Sequence, residues 1–184
     1  IEVFDLFSSL VLYDTEKNEI MICNQADTAS YMETFPCWSP DGKYLYYCRT
    51  PQVAEGFDFR QVNYDLVRIP FTQNERTFGK VELLFEASTK GKSVSFPAVS
   101  PDGRSVVFTL HDYGTFSIWH READLYVLDL ENSRIFKMPV NSDESDSWHS
   151  WSSNGKWMVF SSKRDDGLSA RPYICYFYSV DSIA

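Results

Sequence analysis

The sequence predicts an all-β fold, a β-propeller of four-stranded antiparallel blades closing a partial ring of about three blades, and three observations predict it. Hydrophobic residues fill 43% of the 184 positions and aromatic residues 16%, a composition suited to pleated, half-buried surfaces rather than helices. One turn signature recurs three times. After each recurrence the chain is apolar on successive residues, so both faces of that strand must be covered, as they are where blades stack radially.

Residues 1–30 hold an apolar run at 10–14 and are read as the last two strands of a preceding blade. The signature follows as F-P-C-W-S-P-D-G-K-Y-L-Y-Y from Phe35, F-P-A-V-S-P-D-G-R-S-V-V-F from Phe96 and W-H-S-W-S-S-N-G-K-W-M-V-F from Trp148. Its physics is a hairpin turn: Ser39 leads, Pro40 is pre-set near the φ of the second position, and Gly42 supplies a positive φ at the fourth. Ser100, Pro101 and Gly103 repeat it, whereas Ser153 and Asn154 replace Pro and Asp in the third copy and weaken its pre-organisation. Segments 64–70 and 81–85 are expected as the third and fourth strands of a blade over residues 31–88. Segments 124–130 and 134–140 play the same part in a blade over 89–142, and 143–184 is an incomplete blade ending after a third strand near 176–181. Because a closed ring needs at least about four blades, the remaining blades are expected from a longer chain or a partner chain, which would also pair the open sheet edges.

The W-S-P-D-G turn and the L-Y-V-L-D-L strand at 125–130 resemble the TolB-like propeller repeats, and the resemblance covers nearly the whole chain. The third copy is similar to a variant found in uncharacterised bacterial exported proteins. The resemblance implies a periplasmic or cell-envelope location and a non-catalytic scaffold that binds a protein, peptide or glycan on a loop-rich face. An alternative comes with it: an enzyme or an enzyme's accessory domain. The models for that are the metal-assisted polysaccharide lyases of this repeat type and the gating propeller of prolyl-oligopeptidase relatives, whose nucleophile would lie outside this chain.

In propellers the connections between the second and third strands of each blade share one face, and here they are long. The first carries Arg49, Asp58 and Arg60 beside Phe57 and Phe59, and the second carries His111, Trp119, His120 and Arg121. The third carries Arg164, Asp165 and Arg171, where Asp166-Gly167 shapes a turn. Aromatic and Arg side chains together are the usual anchors of an interface, so these residues are the candidate binding set. His149 stands where the earlier copies have Pro36 and Pro97, just before an inner strand, and is expected near the channel mouth with His111 and His120. The resemblance to the lyases raises a metal held by these three histidines, but no ligand spacing supports it, and no cofactor is assigned. The acidic segment with Asp143, Glu144 and Asp146 reads as a solvated loop lacking the ligand spacing of a calcium loop.

Other classes are disfavoured. Lys and Arg number 17 against 26 Asp and Glu, and a net charge of −9 leaves no basic stripe for nucleic acid. No run approaches the roughly 18 apolar residues of a membrane span. Gly91-Lys92-Ser93 ends like a phosphate loop without that loop's first glycine and reads as a surface turn, and no G-x-S-x-G elbow is present. Cys23, Cys37, Cys48 and Cys175 lack C-x-x-C spacing and read as small hydrophobes.

Overall fold

The computed structural model describes residues 6–23 and 30–180, an all-β chain of four antiparallel sheets. The first sheet pairs β1 (Val11–Asp14) with β2 (Glu19–Ile22). The second runs β3 (Tyr31–Trp38), β4 (Tyr44–Pro51) and β5 (Asp65–Thr72), with its last position shared by β6 (Thr77–Phe78) and β7 (Glu82–Phe85). The third is β8 (Ser93–Val99), β9 (Ser105–His111), β10 (Asp124–Asp129) and β11 (Ile135–Lys137). The fourth is β12 (Asp146–Trp151), β13 (Trp157–Ser162) and β14 (Arg171–Tyr176). This is the arrangement of a partial β-propeller.

The third strand of the last sheet lies at Arg171–Tyr176 rather than near 176–181, and residues 181–184 fall outside the described residues. Pro172 disguises the strand in the sequence. As the edge of its sheet, β14 tolerates a residue with no N–H to donate.

The three turns are built alike. Gly42, Gly103 and Gly155 have φ of 67°, 72° and 67°, and their N–H groups donate to the carbonyls of Ser39, Ser100 and Ser152 at 2.8 to 2.9 Å. Each serine hydroxyl donates to the next-but-one side chain, Asp41, Asp102 or Asn154, and accepts the N–H that opens the following strand. Asn154 supplies its Oδ1 where the other copies use a carboxylate, including the bond from the Lys156 N–H at 3.0 Å. The third turn therefore keeps the whole hydrogen-bond set without its proline and aspartate.

Each inner strand breaks register three or four residues before its turn, between Thr34 and Cys37, Ser95 and Ala98, and Ser147 and Ser150. At these bulges Phe35, Phe96 and Trp148 take φ of 54°, 53° and 52°, a left-handed conformation costly for bulky side chains. Their rings form a ladder across the sheets, 4.2 Å between Phe35 and Phe96 and 5.5 Å between Phe96 and Trp148. The sequence signature marked these aromatics but not their backbone.

Successive apolar residues on each second strand point alternately to the preceding and following sheets. Leu45 and Tyr47 pack with Leu10 and Cys23, which flank the strands of the first sheet, and Tyr46 and Cys48 cluster with Val106 and Phe108 of the third. Val107 meets Met158 and Phe160 of the fourth. Trp151 adds a tie between sheets by donating its indole N–H to the Ala98 carbonyl at 3.1 Å. At the two ends this alternation leaves apolar faces open: Val11, Tyr13, Ile20 and Ile22 on the first sheet, and Trp157, Val159, Ile174 and Tyr176 on the fourth.

Candidate recognition face and histidine cluster

The connections 52–64, 112–123 and 163–170 leave their sheets on one side and contact one another in sequence. The first is ordered by a short 3-10 turn, Phe59–Gln61, whose preceding Asp58 accepts from the Arg60 N–H at 3.1 Å. Its end is tied to the second: the Gly114 N–H donates to the Val62 carbonyl at 2.7 Å, and the Asn63 amide donates to the Asp112 carbonyl at 2.8 Å. Ser93 Oγ donates to the Gly114 carbonyl and accepts from the Tyr64 N–H. The second connection makes a 3-10 turn at Ser117–Trp119 and passes to the fourth sheet, where the Asp146 N–H donates to the Ala123 carbonyl at 2.8 Å.

The structure places the sequence-derived residues unevenly on this face. Arg49 is not in a connection, because β4 runs on to Pro51, and its guanidinium lies 4.4 Å over the Tyr31 ring. Asp58 and Arg60 organise their own loop, with Arg60 over the Phe59 ring at 5.2 Å. Trp119 is 69% exposed, with Lys163 Nζ 4.9 Å from its ring centroid. Arg121 is an exposed neighbour, donating to the Asp143 carbonyl and pairing with Glu144 at 3.0 Å.

Arg164 turns inward. It pairs with Asp146 at 2.9 Å, donates to the Val140 carbonyl at 2.8 Å and lies over the Tyr173 ring. Asp146 is fully buried and also accepts from the Ser142 N–H and hydroxyl at 2.5 and 2.8 Å. The solvated acidic loop expected there is thus a structural anchor at this residue. Asp165 pairs instead with Arg171 at 2.7 Å and accepts from the Tyr173 hydroxyl at 2.7 Å, which first, with Arg171 after it, holds its carboxyl below the usual range. Arg121, Asn141, Glu144 and Arg164 line an open groove between the third and fourth sheets.

The histidines divide. His149 sits within β12, not before it, and its Nε2 lies 3.0 Å from the Val107 carbonyl between two sheets. Burial pushes its pKa down to about 4, against the opposing pull of the Val107 and Phe96 backbone. His111 closes β9 opposite Ser93 and is fully buried, and neither ring nitrogen makes a well-aligned hydrogen bond among the described residues, although the Tyr113 backbone lies close to the ring. Burial, then the neighbouring His120, lowers its pKa to about 3.

His120 lies 5.0 Å from His111, ring to ring, and meets the edge of Tyr113 at 4.4 Å, with Phe59 behind Tyr113 at 5.9 Å. Its Nδ1 is 3.3 Å from Glu122 Oε1, which also accepts the Asp112 N–H at 3.1 Å. Lys92 Nζ reaches Asp112 Oδ1 at 2.5 Å and is the first cause of that carboxyl's lowered pKa. Among the described residues, the group whose ligand atoms come together closely enough to hold a metal is Asp112, His120 and Glu122 rather than three histidines. Lys92, read in sequence as part of a surface turn, belongs to this cluster through a contact across 20 residues.

No protein-family model matches the chain, and no curated protein matches it. Solved structures do. The oligogalacturonate lyase of Vibrio parahaemolyticus aligns at a TM-score of 0.56 with 16% identity, over 96% of this chain and 43% of the lyase. Prolyl oligopeptidase B of Galerina marginata aligns at 0.53 with 14% identity, over 94% of this chain and 25% of that one. The hydrazine synthase of Kuenenia stuttgartiensis aligns at 0.51 with 13% identity, over 84% of this chain and 43% of that one. The chain thus spans less than half the length of each, and at these identities the likeness is one of fold.

Proposed function

We propose that this chain is a stretch of a TolB-like propeller that serves as a non-catalytic binding scaffold, engaging a protein, peptide or glycan through the face built by connections 52–64, 112–123 and 163–170. One observation carries the reading: Trp119 projects from a hydrogen-bonded platform with Lys163 over its ring, and the exposed Arg121 follows two residues along the chain. A large exposed aromatic close to cationic side chains is the composition of a binding hot spot, and a platform already ordered limits the entropy lost on binding. A cell-envelope location accompanies this proposal. So do further sheets, in the same chain or a partner, lying on the apolar end faces around Val11 and Val159.

A second reading is favoured by the fold likeness to the oligogalacturonate lyase and the prolyl oligopeptidase. In it the chain is part of an enzyme's propeller, metal-assisted or gating, and most of the chemistry lies beyond these residues.

Screening the purified chain against displayed peptides and arrayed glycans, with Trp119→Ala in parallel, separates the outcomes. The scaffold reading expects a ligand whose retention falls at least about tenfold in the variant, a hot-spot loss. Identical profiles for both proteins would overturn it.

A further inference from the structure

We propose that Asp112, His120 and Glu122 form a seat for a first-row divalent cation of the zinc or manganese type, backed by His111, on the shoulder of the loop face. Their ligand atoms lie within 4.8 Å of one another, and His120 Nδ1 and Glu122 Oε1 already converge at 3.3 Å. Neighbouring donors around an ion with bonds of about 2.1 Å stand roughly 3 to 3.5 Å apart, so side-chain rotation is enough to close the set. Asp112 and Glu122, with side chains 48% and 40% exposed, have room for that rotation. His120 needs none. Tyr113 braces its ring, and its N–H is bonded to the Ser117 carbonyl at 3.0 Å.

His111 supplies the independent observation. It is wholly buried against His120, and neither ring nitrogen makes a well-aligned hydrogen bond among the described residues, the Tyr113 backbone being only a loose neighbour of the ring. Under-bonded buried nitrogens of this kind are what an ion or an ion-bound water satisfies in native interiors. One imidazole and two carboxylates suit a borderline cation better than magnesium or calcium, which favour all-oxygen sets.

Lys92 makes the idea decidable. Its ammonium sits 2.5 Å from Asp112 Oδ1, in the position a cation would compete for. If the cluster is only an ion-pair network, Lys92 is its support. If it is a metal seat, Lys92 is its competitor. The site does not require the Trp119 surface to bind anything, so the two proposals fail separately.

The test is calorimetric titration of the chelator-treated chain with zinc chloride and, separately, manganese chloride, using magnesium chloride as the hard-cation control. The expected result is one equivalent of zinc or manganese bound by the wild type. His120→Ala and Glu122→Gln each weaken it by at least about tenfold, as lost ligation should, and Lys92→Met tightens it. Glu122 is exposed, so its variant keeps the test valid should His120→Ala misfold. No one-equivalent binding of either ion, binding indifferent to both ligand variants, or weaker binding in Lys92→Met would overturn the proposal.

Discussion

Removing Arg164 should unfasten the fourth sheet from the loop face. Asp146 has no exposed side-chain surface, and its partners are Arg164 at 2.9 Å and the two donors of Ser142. Breaking a buried ion pair from one side costs about 3 to 5 kcal/mol, because the remaining charge stays buried. The Ser142 bonds persist and Arg164 itself is 28% exposed, so Arg164→Ala belongs at the lower end, about 3 kcal/mol. With a urea slope of about 2 kcal/mol/M, the midpoint should fall by about 1.5 M. Adding Asp146→Asn removes the stranded charge, and the double variant should be more stable than the two single losses summed by about 2 kcal/mol. An Arg164→Ala midpoint within about 0.5 M of wild type, or strictly additive effects, would refute the buried-pair reasoning.

His149 gives a pH dependence of known sign. Its folded pKa is depressed to about 4, so its contribution is complete above about 6.5 and is lost as pH falls from there toward 4. By pH 4.5 the wild type should have lost about 2 to 3 kcal/mol more than His149→Gln, which keeps a donor for the Val107 carbonyl; equal slopes in pH-resolved urea melts would contradict this. At the bulge of β8, Phe96→Gly should be about 1 kcal/mol less destabilising than Phe96→Ala, because glycine takes the 53° φ without strain; thermal melts in which alanine is the better residue would contradict it. Replacing Val159 and Ile174 on the open face of the fourth sheet with Lys should reduce self-association in sedimentation, with unfolding free energy changed by less than about 1 kcal/mol. Unchanged association would show that this face is not the one that sticks.

What the sequence revealed was local. The Ser-Pro-Asp-Gly turns could be read because every bond in them spans at most five residues, and even Asn154 announces its role through its position before Gly155. The double-faced strands were legible because a residue such as Tyr46 has an apolar neighbour on each side and no polar face to offer water. The hidden features depend on partners far along the chain. Asp146 looked like one carboxylate of a solvated run until Arg164 was folded back onto it, and Lys92 looked like a turn until Asp112 came beside it. Arg49 reads as a loop residue because Pro51 mimics a strand end, and Pro172 conceals β14 in the same way. The left-handed Phe35, Phe96 and Trp148 follow no residue preference at all; the neighbouring ring in each adjacent sheet stabilises them.

Hydrogen exchange tests most directly whether the long connections are an ordered recognition face. The amides of Gly114 and Asp146 donate to Val62 and Ala123 across that face, and the His120 amide donates to Ser117 within its own 3-10 turn. Gly114 and Asp146 should exchange as slowly as amides in the middle of β9 and His120 more slowly than an open loop, whereas Gly56, at the exposed tip, should exchange fast. Fast exchange at Gly114 and His120, on the timescale of an unprotected loop, would mean the platform under Trp119 is not preformed and would contradict the scaffold reading.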